Sequence, residues 1–273
     1  MLKEILSRYD GFIIDLWGVV HDGTSLYPGA LGVLHYLRDA GKPVVFLSNA
    51  PRRASAAIAT LEKLGIDAGL YRGVITSGQV AYDMLRTSMP YGPQYYYLGP
   101  SKDEEILADV CEYHRVENAF DADFVLNTGY EADFQPHEEV MPTLQILQEA
   151  GLPLLCINPD MEVVKQDGTV MLCAGTLAKA YEEIEGVVRY IGKPHKEVYG
   201  VARTLFNPEA NLLCIGDNPL TDIRGAFASG LDSVLITDGV LKVKHGALSA
   251  AEASRICTES KAVPTYIIAS FAL

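Results

Sequence analysis

Short apolar runs, each too brief for a helix and each followed by helical spacing, recur at both ends of this chain. Phe12-Ile13-Ile14 and Pro43-Val44-Val45-Phe46-Leu47 read as buried strands. Leu31, Val33, Leu34 and Leu37 give Gly29 to Ala40 a helical stripe that stops at Gly41. Ala57, Ile58, Leu61 and Leu64 do the same for Arg53 to Leu64, which stops at Gly65. The C-terminal third repeats the pattern with Leu212–Ile215, a helix over Asp222 to Ser229, Ser233–Ile236 and Tyr266–Ile268. Such alternation predicts a parallel sheet with helices on both faces. Both ends are therefore expected in one α/β, doubly wound, Rossmann-like sheet.

The middle has its own strand candidates, Tyr95–Leu98, Asp123–Asn127 and Leu154–Ile157. Helices are expected at Asp103–Tyr113, His137–Ala150 and Thr176–Gly186. The expected organisation is a core of residues 1–77 and 185–273 with an α/β cap inserted at 78–184.

With 273 residues, 49% of them hydrophobic, the chain can bury a sizeable core. A formal net charge of −13 repels a phosphate backbone, so nucleic acid is excluded as a partner, while a small phosphate ligand is governed by local charge. The five cysteines include no Cys-x-x-Cys pair and are read as reduced thiols. No apolar stretch approaches the ~20 residues that span a bilayer. The segment from Met1 to Asp10 is too charged for a secretory leader, so it is read as a short helix and the protein as cytoplasmic.

Four short motifs each follow a predicted strand: Asp15-Leu16-Trp17-Gly18-Val19, Leu47-Ser48-Asn49, Ile191-Gly192-Lys193-Pro194, and Ile215-Gly216-Asp217-Asn218-Pro219-Leu220-Thr221-Asp222. Taken singly they are turn signals; their order and strand context carry the weight. Carboxylates at the C-terminal ends of strands in one sheet form a site where a ligand can bind. Asp15 there can attack phosphorus, hold a metal, or do both. Asp15 and Asp217 repel unless a cation lies between them, and hard oxygen ligands favour Mg²⁺. Lys193 adds a point charge and Ser48 a hydrogen-bond donor for phosphoryl oxygens, which is most of what phosphoryl transfer requires. Other templates fail: the chain has no Gly-x-Gly-x-x-Gly after the first strand, no P-loop, no Gly-x-Ser-x-Gly and no zinc-spaced His/Cys cluster.

On these four motifs the chain closely resembles the haloacid dehalogenase (HAD) superfamily. Within it the resemblance is to the class IIA branch of sugar-phosphate, nucleotide, nitrophenyl-phosphate and pyridoxal-phosphate phosphatases. The resemblance implies a phosphatase of a small phosphorylated metabolite that works through an aspartyl phosphate on Asp15. It implies Mg²⁺ held by Asp15, the Trp17 backbone carbonyl and Asp217, with Asp222 supporting that shell directly or through water. Ser48 and Asn49 would orient the phosphoryl group and Lys193 would neutralise it. Asn158-Pro159-Asp160 and Ala174-Gly175-Thr176-Leu177-Ala178 resemble cap loops that face the substrate, and a cap of this kind can pair with itself in a homodimer.

One position departs from the family. The motif-one residue that serves there as general acid and base is Asp, and here it is Trp17. Indole cannot protonate an alkoxide or activate water, a loss that typically costs about 10²–10⁴-fold. Three readings stay open. His21, His195 or Asp22 replaces the missing acid, the substrate carries a leaving group that needs little protonation, or the protein binds a phosphorylated ligand without efficient turnover.

Overall fold

The computed structural model describes residues 2–88, 90–132 and 135–273. Met1 of the expected N-terminal helix lies outside them, and the helix itself runs Leu2–Ser7. Three strands open the chain: β1 (Gly11–Ile14), β2 (Val44–Ser48) and β3 (Gly73–Thr76). β1 and β2 are buried along their whole length, as apolar runs in a doubly covered parallel sheet must be. Helices Ala30–Asp39 and Ala54–Lys63 connect them; Val33, Leu34 and Leu37 of the first pack with Phe12, Ile14 and Phe46.

The next strands are β4 (Gln94–Leu98), β5 (His114–Val116), β6 (Phe124–Asn127), β7 (Leu154–Cys156), β8 (Glu162–Val164), β9 (Val170–Leu172) and β10 (Val188–Tyr190). β11 (Leu212–Gly216), β12 (Asp232–Ile236) and β13 (Tyr266–Ile268) complete the chain. The two ends combine into a parallel six-stranded sheet, β13-β12-β11-β1-β2-β3. This is the doubly wound order, and its topological switch point lies between β1 and β11. The middle forms a separate parallel sheet, β10-β7-β6-β4-β5, and an antiparallel hairpin, β8-β9.

Several expectations change. β10 pairs with β7, so the inserted sheet runs past residue 184 to Tyr190. The helix expected at Asp103–Tyr113 is a 3₁₀ segment, Ser101–Leu107, followed by turns that lead into β5. The apolar positions Ile106, Leu107, Val110 and Tyr113 still pack with Tyr95 and Phe124, so burial is satisfied without a regular helix. The helix expected from Asp222 begins instead as a π-type turn, Pro219–Ile223, and becomes α-helical at Arg224–Ala228. The Asn218 carbonyl accepts from both the Asp222 and Ile223 amides, which widens that turn. β5 and the β8-β9 hairpin carried no sequence signal, being three-residue strands with polar or exposed positions.

Four of the five cysteines are buried and Cys111 is exposed; all are free thiols. Burial raises the pKa of Cys156 to about 12 and keeps the thiol protonated. Among the described residues no helix is long and apolar enough to cross a membrane.

Candidate active site

The carboxyl ends of three neighbouring strands deliver the first set of side chains. Asp15 follows β1, and its backbone amide bonds to the Ile215 carbonyl of β11 at 2.9 Å. Ser48 ends β2 and Asn49 follows it, while Asp217 follows β11. Asp222 enters from the π-type turn, where its Oδ2 accepts the Asn218 amide at 3.1 Å. Oxygens of Asp15, Asp217 and Asp222 lie within 4.8 Å of one another, and all three residues are buried.

Lys193 reaches this cluster from the stretch after β10. Its Nζ donates to Asp15 Oδ1 at 2.5 Å and to Asp222 Oδ1 at 2.7 Å, and the residue is only 3% exposed. Asn49 holds the Lys193 backbone at two points. Its Oδ1 accepts the Lys193 amide at 2.7 Å, and its Nδ2 donates to the Lys193 carbonyl at 3.1 Å. The same Nδ2 donates to Asp160 Oδ1 at 3.1 Å, tying the inserted segment to the end of β2.

Glycines make room for Asp217. A Cβ on Gly18, whose φ is +86°, would lie 2.1 Å from Asp217 Oδ2, and one on Gly239 would lie equally close. The amide after Gly239, that of Val240, donates to that oxygen at 2.7 Å. Beyond the Asp238-Gly239 pair after β12, no sequence signal points to this last contact.

Three carboxylates against one ammonium leave a buried excess of negative charge. Burial, the largest effect, pushes the Asp15 carboxyl up, and Asp222 and Asp217 add to it against the opposing pull of Lys193. Burial and then Asp222 push Asp217 up to about 7. Burial works against the Lys193 ammonium, but Asp15, Asp222 and Asp160 more than reverse it and hold the charge on. Burial likewise lifts Asp160 to about 6, against the pull of Lys193. A hard divalent cation fits this all-oxygen, charge-rich donor set.

The residues singled out from sequence come together. Asp15, Trp17, Ser48, Asn49, Asn158, Asp160, Lys193, Asp217 and Asp222 line one cavity of about 430 Å³. The segment expected as a second cap loop, Ala174-Gly175-Thr176-Leu177-Ala178, instead opens a helix, Ala174–Glu183, and does not line the cavity. Gly175 donates its amide to the Asp160 carbonyl at 3.1 Å and Thr176 Oγ1 donates to the Met161 carbonyl, so this first helical turn supports Asn158-Pro159-Asp160 from behind. Gly175 lies so close to the Pro159 carbonyl that a Cβ would meet it at 2.4 Å.

Of the three candidates to replace the missing acid, His195 lies outside the cavity lining, stacked on Tyr190. Asp22 lines the cavity, but its carboxylate is occupied. It accepts from the Thr24 amide at 3.0 Å, the Ser25 amide at 2.8 Å and the Thr24 hydroxyl at 2.8 Å. Burial opposes its charge, yet these donors hold it well below the usual carboxylate range. His21 also lines the cavity; its Nδ1 accepts the Gly23 amide at 2.9 Å, and burial lowers it to about 4 despite Asp22, so it is neutral at pH 7. The Trp17 indole Nε1 donates to the Val164 carbonyl at 2.6 Å, a contact that sequence reasoning did not anticipate.

Comparisons with known proteins agree with this arrangement. A haloacid dehalogenase-like hydrolase model matches residues 12–111, and a second HAD-hydrolase-like model matches residues 190–271. A solved haloacid dehalogenase-like hydrolase from Brucella suis 1330 is 30% identical with a TM-score of 0.84, covering 98% of this chain and 97% of its own. A 5'-nucleotidase of Bacillus subtilis is 27% identical over 248 residues, 88% of this chain and 91% of that protein. Human chronophin is 26% identical over 283 residues, 99% of this chain and 94% of its own. With its doubly wound sheet, inserted α/β segment and four motifs at one cavity, the chain belongs to the haloacid dehalogenase-like hydrolases, in their class IIA branch.

Proposed function

We propose that this chain is a Mg²⁺-dependent phosphatase that cleaves a small phosphorylated metabolite through an aspartyl phosphate on Asp15. The observation that carries this reading is the buried set of Asp15, Asp217 and Asp222 around Lys193, on the wall of a cavity of metabolite size. The nucleotidase among its relatives supports the same reaction class.

Asp15, Asp217, Asp222 and the Trp17 carbonyl would hold Mg²⁺. When bound, the cation offsets the repulsion between these carboxylates and an incoming phosphate. A carboxylate oxygen of Asp15 bonds to phosphorus as the bond to the leaving oxygen breaks. Lys193 Nζ and Ser48 Oγ take the non-bridging oxygens, with Asn49 fixing the Lys193 backbone. Asn158 and Asp160 border the leaving group. Water then attacks the phosphorus, releases inorganic phosphate and restores the Asp15 carboxylate. The leaving oxygen gains a proton in the first step and the water loses one in the second.

With the Trp17 indole bonded to Val164 and Asp22 held ionised, good leaving groups are favoured. Nitrophenyl phosphate should exceed alkyl sugar phosphates by about 10²–10⁴-fold in kcat/KM. Phosphate release from aryl, sugar and nucleotide phosphates, with and without Mg²⁺, tests both points. Equal rates on aryl and alkyl esters would mean that another group supplies the proton. The Trp17–Val164 bond also favours a second reading, a protein that binds phosphorylated ligands without efficient turnover. Silence across the panel, with thermal stabilisation by phosphate esters retained, would select it.

Mg²⁺ binding should depend on pH with a defined sign. The folded-state pKa of Asp217 lies above its ordinary value of about 4. Its contribution to metal-free stability is therefore fully present below about pH 4 and is lost as pH rises through about 7. Protons compete with the cation over the same range, so apparent Mg²⁺ affinity should weaken about tenfold per pH unit below 7 for one displaced proton. The Tm gain from Mg²⁺ over EDTA should be larger at pH 8 than at pH 5.5; equal gains would remove Asp217 from the ligand set.

A further inference from the structure

Trp17 stands two residues after Asp15, yet its polar atom is engaged by the inserted segment. Nε1 donates to the carbonyl of Val164, the last residue of β8, at 2.6 Å. The loop is shaped around the ring. A Cβ on Gly23 would meet the indole at 2.7 Å, so the ring needs a glycine beneath it. The His21 ring stands edge-on to the indole at 6.2 Å, and its Nδ1 accepts the Gly23 amide.

The β8-β9 hairpin is tied down around the same point. The Val164 side chain is buried among Ile223, Leu235, Val240 and Leu241. The Gln166 amide donates to Asp22 Oδ2 at 3.2 Å, and Gln166 Nε2 donates to Ser25 Oγ at 3.0 Å. Lys244 pairs with Glu162 at 2.5 Å. Glu162, Val163, Val164, Met171 and Leu172 line the cavity with Trp17, so the seat of the hairpin sets the width of that cavity.

We propose that Trp17 is a positioning residue that clasps the β8-β9 hairpin over the carboxylate cluster and thereby fixes the part of the cavity that receives the leaving group. An ionised carboxylate at position 17 is an acceptor only and cannot bond a carbonyl. It would also add negative charge beside Asp15 and Asp217. The neutral indole N–H donates to Val164 whatever the charge of the cluster. Position 17 thus serves hairpin docking in place of proton transfer. The kinetic consequence rests on the phosphatase reading; the structural one does not.

The chain contains a single tryptophan, so its fluorescence reports on Trp17 alone. In the ligand-free protein the emission should be blue-shifted and protected from acrylamide. Gln166→Ala and Lys244→Ala, which loosen the hairpin without touching Trp17, should shift it to the red and raise quenching at least twofold. Trp17→Phe keeps a ring and removes the N–H. Its KM for nitrophenyl phosphate should rise about three- to tenfold, the scale of one lost hydrogen bond. Its kcat and its inhibition by inorganic phosphate, which does not occupy the leaving-group part of the cavity, should both change less. Acrylamide quenching of the wild type unaffected by either hairpin variant would overturn the clasp. So would equal changes for nitrophenyl phosphate and inorganic phosphate in Trp17→Phe. A wild type without turnover on any ester would count against the phosphatase reading alone, leaving the fluorescence to decide the clasp.

Discussion

Asp15→Asn should lower Mg²⁺-dependent phosphate release by at least about 10⁴-fold, on the scale seen when a covalent nucleophile is removed. The amide cannot form the aspartyl phosphate, but its oxygen can still accept the Lys193 hydrogen bond now made by Asp15 Oδ1. The fold should therefore survive, and the metal-free protein should gain stability. The pKa of Asp15 is raised in the folded state, so its contribution to stability is present at low pH and lost as pH rises through that value. Asparagine does not titrate and escapes this loss. Without Mg²⁺ at pH 8, Asp15→Asn should melt above wild type; with Mg²⁺ the order should reverse, because one ligand is gone. Calorimetry with and without EDTA, beside a phosphate-release assay, reads both. Turnover in Asp15→Asn within tenfold of wild type would remove Asp15 as nucleophile.

Lys193→Met should have the opposite effect on stability. The methionine matches the length of the lysine stem but carries no charge. It leaves Asp15 and Asp222 buried without the ammonium that both now contact. Breaking a buried pair by removing one partner typically costs about 3–5 kcal/mol, so the metal-free variant should unfold well below wild type above neutral pH. Mg²⁺ should recover part of that loss by supplying the missing positive charge, whereas activity should stay low for want of the phosphoryl clamp. Urea unfolding of metal-free and Mg²⁺-loaded protein tests the pair of signs. A Lys193→Met protein as stable as wild type without metal would show that the carboxylates are neutral there and that the cluster holds less charge than its geometry implies.

The core was readable because its chemistry is local. β1, β2 and β11 are apolar runs bounded by polar residues, and burial on both sheet faces leaves no other use for them. Asp15, Ser48, Asn49 and Asp217 follow directly from those strand ends. Asp222 was readable as a residue but not as a geometry, since the π-type turn that presents it depends on the Asn218 carbonyl accepting two amides. β10 was missed because Val188–Tyr190 is short and only partly buried, and its pairing with β7 is a tertiary choice. The destination of Trp17 was not readable at all. It depends on a hairpin 147 residues away whose strands have three residues each.

The order of the core sheet also governs when the site can exist during synthesis. β1 lies beside β11, and the 94–190 stretch that builds the second sheet is made between them. The hydrogen-bonding edge of β1 that receives β11 stays open until the ribosome has passed residue 216. Asp15 has no acidic partner from the fourth motif before Asp217 and Asp222 emerge. The inserted sheet, whose strands are contiguous in the chain, can close first, as units of contiguous sequence do. A nascent chain that has not yet exposed the fourth motif therefore lacks this cluster, and the full carboxylate set comes together only at the last stage of assembly.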